Sequence, residues 1–448
     1  MTTLRRFFVA FGGVLALLAL QPAWSIGLLP AYDAALVNDP TYRAALHENE
    51  AGQQARVLGR AGLLPVVSAS YGRSRNFSDI TTSTPGLPER SDERHYNSLS
   101  SALQLRQPLI HPEGRARYRQ GIAQTQASDA QFRSRSQEVI VRLVGLYAPA
   151  QYAEDQLALA TAQRDAYAEQ GKSNERLFQR GEGTRTDVLE TQAKLDLSEA
   201  QLLEARDNLQ NARDALSAML GQRVTALDPL SDAFRVMPTQ PASIETWQDL
   251  ALNNNPEIVA QRYAVEIARE EINKNQAGHS PRLDLVASLA KNSSDTINTL
   301  NQSANTRSIG IQLSIPLYAG GSVTAATTQA VANFEKARAN LDGQTSQVLV
   351  ELRKQFNLTF SSAARIDAAR KALESALVLV AATQKSVQGG QRTNVDVLNA
   401  RQQVFEARRE LALQRYNHLL GYLKLRYAAG VLSVSDLRDV AGYFVAGK

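Results

Sequence analysis

Apolar positions along the chain follow two periods, seven over long stretches and two over short ones. Val188, Leu195, Leu202, Leu209 and Leu216 are spaced by seven, as are Val397, Val404, Leu411, His418 and Leu425. Ile366, Leu373, Val380 and Val387 form another such series, and Phe334, Leu341 and Val348 one more. Sevenfold spacing keeps an apolar stripe on one side of a supercoiled helix. The segment from Gly321 to Gln388 contains no proline. As one helix it would run roughly 100 Å at about 1.5 Å per residue, a length that suits a coiled coil or a tunnel wall. Its first-half counterpart, about Gly121 to Gln179, carries Pro149. Proline removes a backbone hydrogen bond and crowds the preceding turn, so a kink or break is expected there.

Four segments switch to period two. Leu283, Leu285, Ala287 and Leu289 alternate with Arg282, Asp284, Val286 and Ser288, and Ile309, Ile311, Leu313 and Ile315 alternate with Ser308, Gly310, Gln312 and Ser314. Val67, Ala69 and Tyr71 form a shorter series, and Leu99, Ser101, Leu103 and Leu105 face away from Ser100, Gln104 and Arg106. The expected strands are about 64–75, 98–110, 282–290 and 308–317. Such alternation also fits a half-buried strand of a soluble sheet. The segments between the strands, Asn76 to Asn97 and Lys291 to Arg307, are rich in Ser, Thr, Asn and Asp and read as long polar loops. Long polar loops at one end are typical of outer-membrane barrels. Four strands cannot close a barrel, and lipid does not tolerate open edges. Strands of this kind placed in a membrane require several chains to share one barrel.

The chain repeats itself. Arg180-Gly181-Glu182-Gly183-Thr184-Arg185-Thr186-Asp187-Val188-Leu189 has a counterpart in Gly389-Gly390-Gln391-Arg392-Thr393-Asn394-Val395-Asp396-Val397-Leu398. Asp39-Pro40 pairs with Asn255-Pro256, Pro65 with Pro281, and Gln107-Pro108-Leu109-Ile110 with Ile315-Pro316-Leu317-Tyr318. Each half therefore reads helix, strand, loop, strand, long helix, turn, helix. The segment holding Pro229, Pro238 and Pro241 reads as the linker between them. Before the first half, Arg5 and Arg6 precede an uncharged apolar run from Phe7 to Leu20, then Ala23-Trp24-Ser25. That pattern is a secretory leader cut after about Ser25, its run shorter than the roughly 20 residues of a spanning helix. The expected division is a leader at 1–25, a first repeat at 26–220, a linker at 221–243, a second repeat at 244–430 and a C-terminal segment at 431–448.

Composition narrows the chemistry. With no cysteine, disulfides, thiolate metal sites, cysteine nucleophiles and a lipid-modified N-terminal cysteine are excluded. The net charge of +5 falls to about +3 once Arg5 and Arg6 leave with the leader, and the basic residues form no block, so nucleic acid is not an expected partner. His47, His95, His111, His279 and His418 are scattered without metal spacing, and His418, on a heptad seam, reads as a packed residue. The turns Gly181-Glu182-Gly183 and Gly389-Gly390 lack phosphate-loop spacing and sit between helices. No nucleophile or paired-carboxylate constellation stands out, so neither enzyme activity nor a cofactor or metal is expected.

The stretches Gln276-Ala277-Gly278-His279-Ser280-Pro281-Arg282-Leu283-Asp284-Leu285, Ile315-Pro316-Leu317-Tyr318-Ala319-Gly320-Gly321 and Arg392-Thr393-Asn394-Val395-Asp396-Val397-Leu398-Asn399-Ala400, in this order and repeat spacing, resemble the TolC family of outer-membrane channels. That family serves type I secretion and drug efflux. The resemblance covers nearly the whole chain after the leader. It implies a mainly α fold with a small β part: a twofold-repeated coiled-coil α-barrel in the periplasm, plus four strands per chain in a trimeric twelve-stranded transmembrane β-barrel. The linker and C-terminal residues would join an equatorial belt. The implied partners are two further copies of the chain, outer-membrane lipid, a periplasmic adaptor at the helix tips near Gly181, Gly183, Gly389 and Gly390, and an inner-membrane exporter, ABC-type by expectation.

The resemblance also implies a gate. Asp396 matches the first aspartate ring of the family's periplasmic entrance, while the second ring position is Asn399 here. Arg392 matches the linking arginine and Asp187 its acidic partner; the family's aromatic partner falls at Val387, which loses that link. A looser latch and weaker cation binding are expected. On the residues alone Asp396 is equally a first-turn acid of a helix capped by Asn394. A soluble periplasmic coiled-coil adaptor is the alternative from another class, opposed by the alternating strands; a periplasmic enzyme with a coiled-coil arm is opposed by the missing site.

Overall fold

The computed structural model describes residues 25–231, 233–295 and 301–445. The leader expected at 1–25 falls, apart from Ser25, outside them, as do the last residues of the C-terminal segment. In chain order the elements are α1 (Leu28–Asn38), α2 (Pro40–Ala61), β1 (Val66–Thr82), β2 (Arg90–Ile110), α3 (Pro112–Gln179) and α4 (Arg185–Leu220), then α5 (Ile244–Asn254), α6 (Pro256–Gln276), β3 (Arg282–Asp295), β4 (Asn301–Ser314), α7 (Ser322–Gln388), α8 (Asn394–Ala428) and α9 (Val434–Ala441).

The Asp-Pro and Asn-Pro pairs have one local cause. Asp39 and Asn255 cap α2 and α6, their side chains accepting from Thr41 and Tyr42 N–H (3.3 and 3.1 Å) and from Glu257 and Ile258 N–H (2.9 and 3.2 Å). The proline that follows each needs no N–H at the first helical position.

The four strands form one antiparallel sheet in the order β1-β2-β3-β4. The β2–β3 pairing, for example Ala102 opposite Ala290, joins the two halves, and Arg106 Nε donates to Asp284 Oδ2 (3.0 Å) near its base. Most of the expected polar loop from Asn76 to Asn97 is strand: Asn76 pairs with Tyr96 and Thr82 with Arg90, leaving a turn of residues 83–89. Likewise Lys291 pairs with Asn305 and Asp295 with Asn301. These positions carry no apolar alternation because cross-strand partners satisfy them instead. Ser74 Oγ meets Ser98 Oγ at 2.6 Å, and the Phe77 ring meets His95 edge-on at 4.7 Å. At 17 residues, β1 exceeds the roughly 9–11 that cross a bilayer. The sheet leaves β1 and β4 each paired on one side only. One face exposes Val67, Leu103, Ile309 and Ile311. No described helix is long and apolar enough to cross a membrane.

The heptads describe real seams. Val397, Val404, Leu411, His418 and Leu425 are all buried, as are Leu202, Leu209 and Leu216. Of the kink or break expected at Pro149, the break is absent: α3 is continuous for 68 residues across it. Val144, Tyr147, Ala148 and Ala150 on either side are locked in the main core against Leu216, Leu220, Leu419 and Leu423, so packing outweighs the roughly 3 kcal/mol a helix-interior proline costs. This core also draws in α1, α9 and the linker. Tyr147 Oη donates to Ile26 O (2.9 Å) and accepts from Asp228 N–H (3.1 Å).

His418 pins the linker to α8. Its Nε2 accepts from Met237 N–H (2.9 Å), so Nδ1 carries the proton and donates to Ser362 Oγ at 2.6 Å. Burial holds the imidazole below its ordinary pKa. A depressed histidine pKa gives stability that is complete above the unfolded value of about 6.5 and declines as pH falls below it. His418→Gln should cost about 1 kcal/mol at pH 7.5, the scale of one imperfectly replaced buried bond. It should also flatten the loss of thermal stability between pH 7.5 and 5.5. Thermal melts by circular dichroism at both pH values check this; equal slopes in the two proteins would refute the assignment.

Candidate gate at the helix tips

The α3–α4 and α7–α8 turns are built alike. At the first, Gly181 N–H reaches Phe178 O and Glu182 N–H reaches Leu177 O, both at 2.9 Å. At the second, Gly390 N–H reaches Val387 O (3.0 Å) and Gln391 N–H reaches Ser386 O (2.9 Å). This paired closure of a helix end requires a left-handed residue, supplied by Gly181 (φ 74°) and Gly390 (φ 70°). Gly183 instead lies close against Leu177 and Phe178, and Gly389 ends its helix with a negative φ.

Each turn leads into a capping box. Thr184 Oγ1 accepts from Asp187 N–H (3.1 Å) while Asp187 Oδ2 accepts from Thr184 N–H and hydroxyl (3.3 and 2.7 Å). In α8 the cap is Thr393, one residue earlier than the expected Asn394, which is the first helical residue. Asp396 Oδ2 accepts from the N–H and hydroxyl of Thr393, both at 3.0 Å. Those bonds, with Arg392 adding attraction, hold the exposed Asp396 carboxyl below the usual range. The cap falls on threonine because the repeat places Thr393 where Thr184 stands, and its β-branched hydroxyl suits the extended backbone at that position.

A family model described as outer membrane efflux protein matches the chain over residues 31–222 and again over 247–431. The chain belongs to this family. It is 46% identical to the alkaline protease secretion protein AprF of Pseudomonas aeruginosa, over 100% of this chain and 93% of that one. It is 41% identical to the proteases secretion protein PrtF of Dickeya chrysanthemi, over 94% and 92%. The solved outer membrane protein VceC from Vibrio cholerae shares the fold, with a TM-score of 0.76 at 19% identity over 90% of this chain and 96% of that one. The chain is thus an outer-membrane export channel of a Gram-negative cell, the exit duct of a tripartite exporter with a large periplasmic part, in a family of channels; the soluble-adaptor alternative is not favoured.

In this outer membrane efflux protein the residues expected at the gate divide. Asp187 and Asp396 occupy equivalent capping boxes on α4 and α8. Among the described residues Arg392 joins neither acid by an ion pair of its own chain. Asn399 is engaged: its Oδ1 accepts from Lys194 Nζ (2.9 Å), which also reaches Gln402 Oε1 (3.2 Å). Lys194 went unnoticed in the sequence. It lies seven residues after Asp187, on the same helix face, and that spacing was the available signal. Among the described residues no group of three His, Asp or Glu side chains could hold a metal ion.

Proposed function

We propose that the chain is the passive outer-membrane duct of a type I protein secretion system, with a protease as cargo. The observation that carries the cargo is the 46% identity over the whole chain to a protein named for alkaline protease secretion, with a second protease secretion protein at 41%. After removal of the leader, three chains would close a twelve-stranded barrel in outer-membrane lipid by joining β4 of one to β1 of the next. The half-paired outer strands support this arrangement. An adaptor would seat on the turns at Gly181, Gly183, Gly389 and Gly390, and an inner-membrane exporter of the ABC type would supply the energy. Asp396 would ring the entrance, with Arg392, Asp187 and Asn399 setting how firmly the tips close.

The test is replacement. In Pseudomonas aeruginosa lacking AprF, expression of this chain should return alkaline protease to the medium to within a few-fold of the parent. Protease retained in the cells while sensitivity to small toxic compounds is relieved would shift the reading to drug efflux.

A further inference from the structure

The residues that follow the leader are tied to the linker through their backbone. Ile26 forms a parallel bridge with Leu227, and its N–H donates to Ala226 O at 3.0 Å. Its carbonyl accepts from Tyr147 Oη, which in turn accepts from Asp228 N–H. Further along the same linker stretch Leu230 bridges Phe444, with Ser231 N–H on Tyr443 O (2.8 Å) and Val445 N–H on Pro229 O (3.1 Å). Residues 226–231 therefore join the start of the first half to the C-terminal segment. Ile26, Leu227 and Phe444 all pack on the main core.

The Asp228 side chain does not suit this apolar setting. It is buried, and among the described residues no cationic side chain pairs with it. The one hydrogen bond its carboxylate accepts among them comes from Ser25 Oγ to Oδ1, at 2.5 Å. Its other oxygen lies against Gly27, where an added Cβ would stand 2.8 Å from Oδ2. The carboxylate thus touches the residue before Ile26 and the residue after it, and spans the Ile26 backbone. A buried carboxylate is costly unless a cation or several donors answer it. With the leader cut after Ser25, the hydroxyl that now answers Asp228 leaves with the leader.

We propose that Asp228 is the docking site of the mature N-terminus, an ion pair that leader removal creates. Hydrolysis of the Ser25–Ile26 bond consumes one water. Ser25 departs with the leader and carries the new carboxylate, while Ile26 keeps the amine and takes up the proton released. An α-amine of ordinary pKa, about 7.7–8.0, is mostly charged at neutral pH. The new ammonium has three N–H donors. One keeps Ala226 O, a second takes the Oδ1 that Ser25 vacates, and the third stays with water. Gly27 admits the carboxylate where a side chain would push it away. Processing therefore completes the tie between α1 and the linker. This rests on the leader reading above and holds whatever the cargo.

The processed protein, purified from membranes, tests it. Its N-terminal sequence should begin Ile26-Gly27-Leu28. A cut elsewhere, or none, would overturn the cut after Ser25 and the docking site together. Inserting Gln-Asn between Ser25 and Ile26 moves the ammonium away by two residues, with the cut checked by mass. Asp228→Asn should lower the melting temperature by several degrees and the insertion by a similar amount. The two together should lower it little further, because each removes the same pair. Additive losses, or no loss from either change, would overturn the docking. In the native state an aldehyde reagent selective for α-amines should modify the wild type roughly tenfold more slowly than the inserted variant, as an engaged ammonium requires. Equal rates would overturn the docking even if Asp228→Asn failed to fold. Each of these failures with the cut found after Ser25 leaves the leader and duct readings standing.

Discussion

Asp396→Ala should weaken block of the channel by divalent cations by roughly one to two decades in single-channel recordings from planar bilayers. In the proposed trimer a doubly charged ion about 5 Å from each of three Asp396 carboxylates would gain on the order of 1–2 kcal/mol per carboxylate even in water-like dielectric. Salt screening at about 0.1 M removes part of that, and each remaining 1.4 kcal/mol or so is a tenfold change in affinity. Three like charges around one passage oppose their own ionisation, which pushes carboxyl pKa values up. The two hydrogen bonds from Thr393 push the other way and keep Asp396 charged at neutral pH. Thr393→Val removes only the hydroxyl donor and keeps the N–H, so it should move the loss of block to somewhat higher pH than in the wild type without abolishing block at neutral pH. Asp187→Ala is the matched control, because it removes the same kind of capping box from α4. If Asp396→Ala and Asp187→Ala change block equally, helix capping and not a charge ring is the role of Asp396.

What could be read in the sequence follows from how each feature signals itself. An apolar seam repeats, and the residues from Val397 to Leu425 that keep the spacing are buried as the spacing requires, even where His418 replaces an aliphatic side chain. Strand length was hidden because the outer parts of β1 and β2 are polar on both faces, and pairing such as Asn76 with Tyr96 leaves no periodic mark. Pro149 does not break α3 because its cost is local, whereas the packing of Tyr147 and Ala150 that overrides it depends on distant helices. The candidate gate was half legible. Asp187 and Asp396 stand out through the internal repeat, yet Lys194 belongs to a polar heptad line, and a search for apolar periodicity passes over it.

Two glycines of α3 should respond to the same substitution with opposite signs. In a helix interior Gly→Ala ordinarily stabilises by about 0.5–1 kcal/mol, because glycine loses more backbone freedom on folding. Gly145 has open space around the position of an added Cβ, so Gly145→Ala should gain most of that amount. At Gly121 a Cβ would stand 2.4 Å from Ala55 O and 3.1 Å from Ala55 C, backbone atoms of α2 that cannot rotate away. Gly59, on the facing helix, meets Arg117 O at 2.7 Å in the same sense, so α2 and α3 cross on glycine from both sides. Relief requires the two helices to move apart, and overpacking of this kind costs about 1–3 kcal/mol or more. The clash exceeds the propensity gain, and Gly121→Ala should be destabilising by a net 1–2 kcal/mol or more. Because α2 and α3 flank the β1–β2 hairpin at its two ends, the loss should also lower the yield of assembled channel in the membrane. Thermal melts of the detergent-solubilised protein give the order Gly145→Ala, wild type, Gly121→Ala from most to least stable. A Gly121→Ala protein melting at or above the wild type would show that the α2–α3 crossing has room to yield.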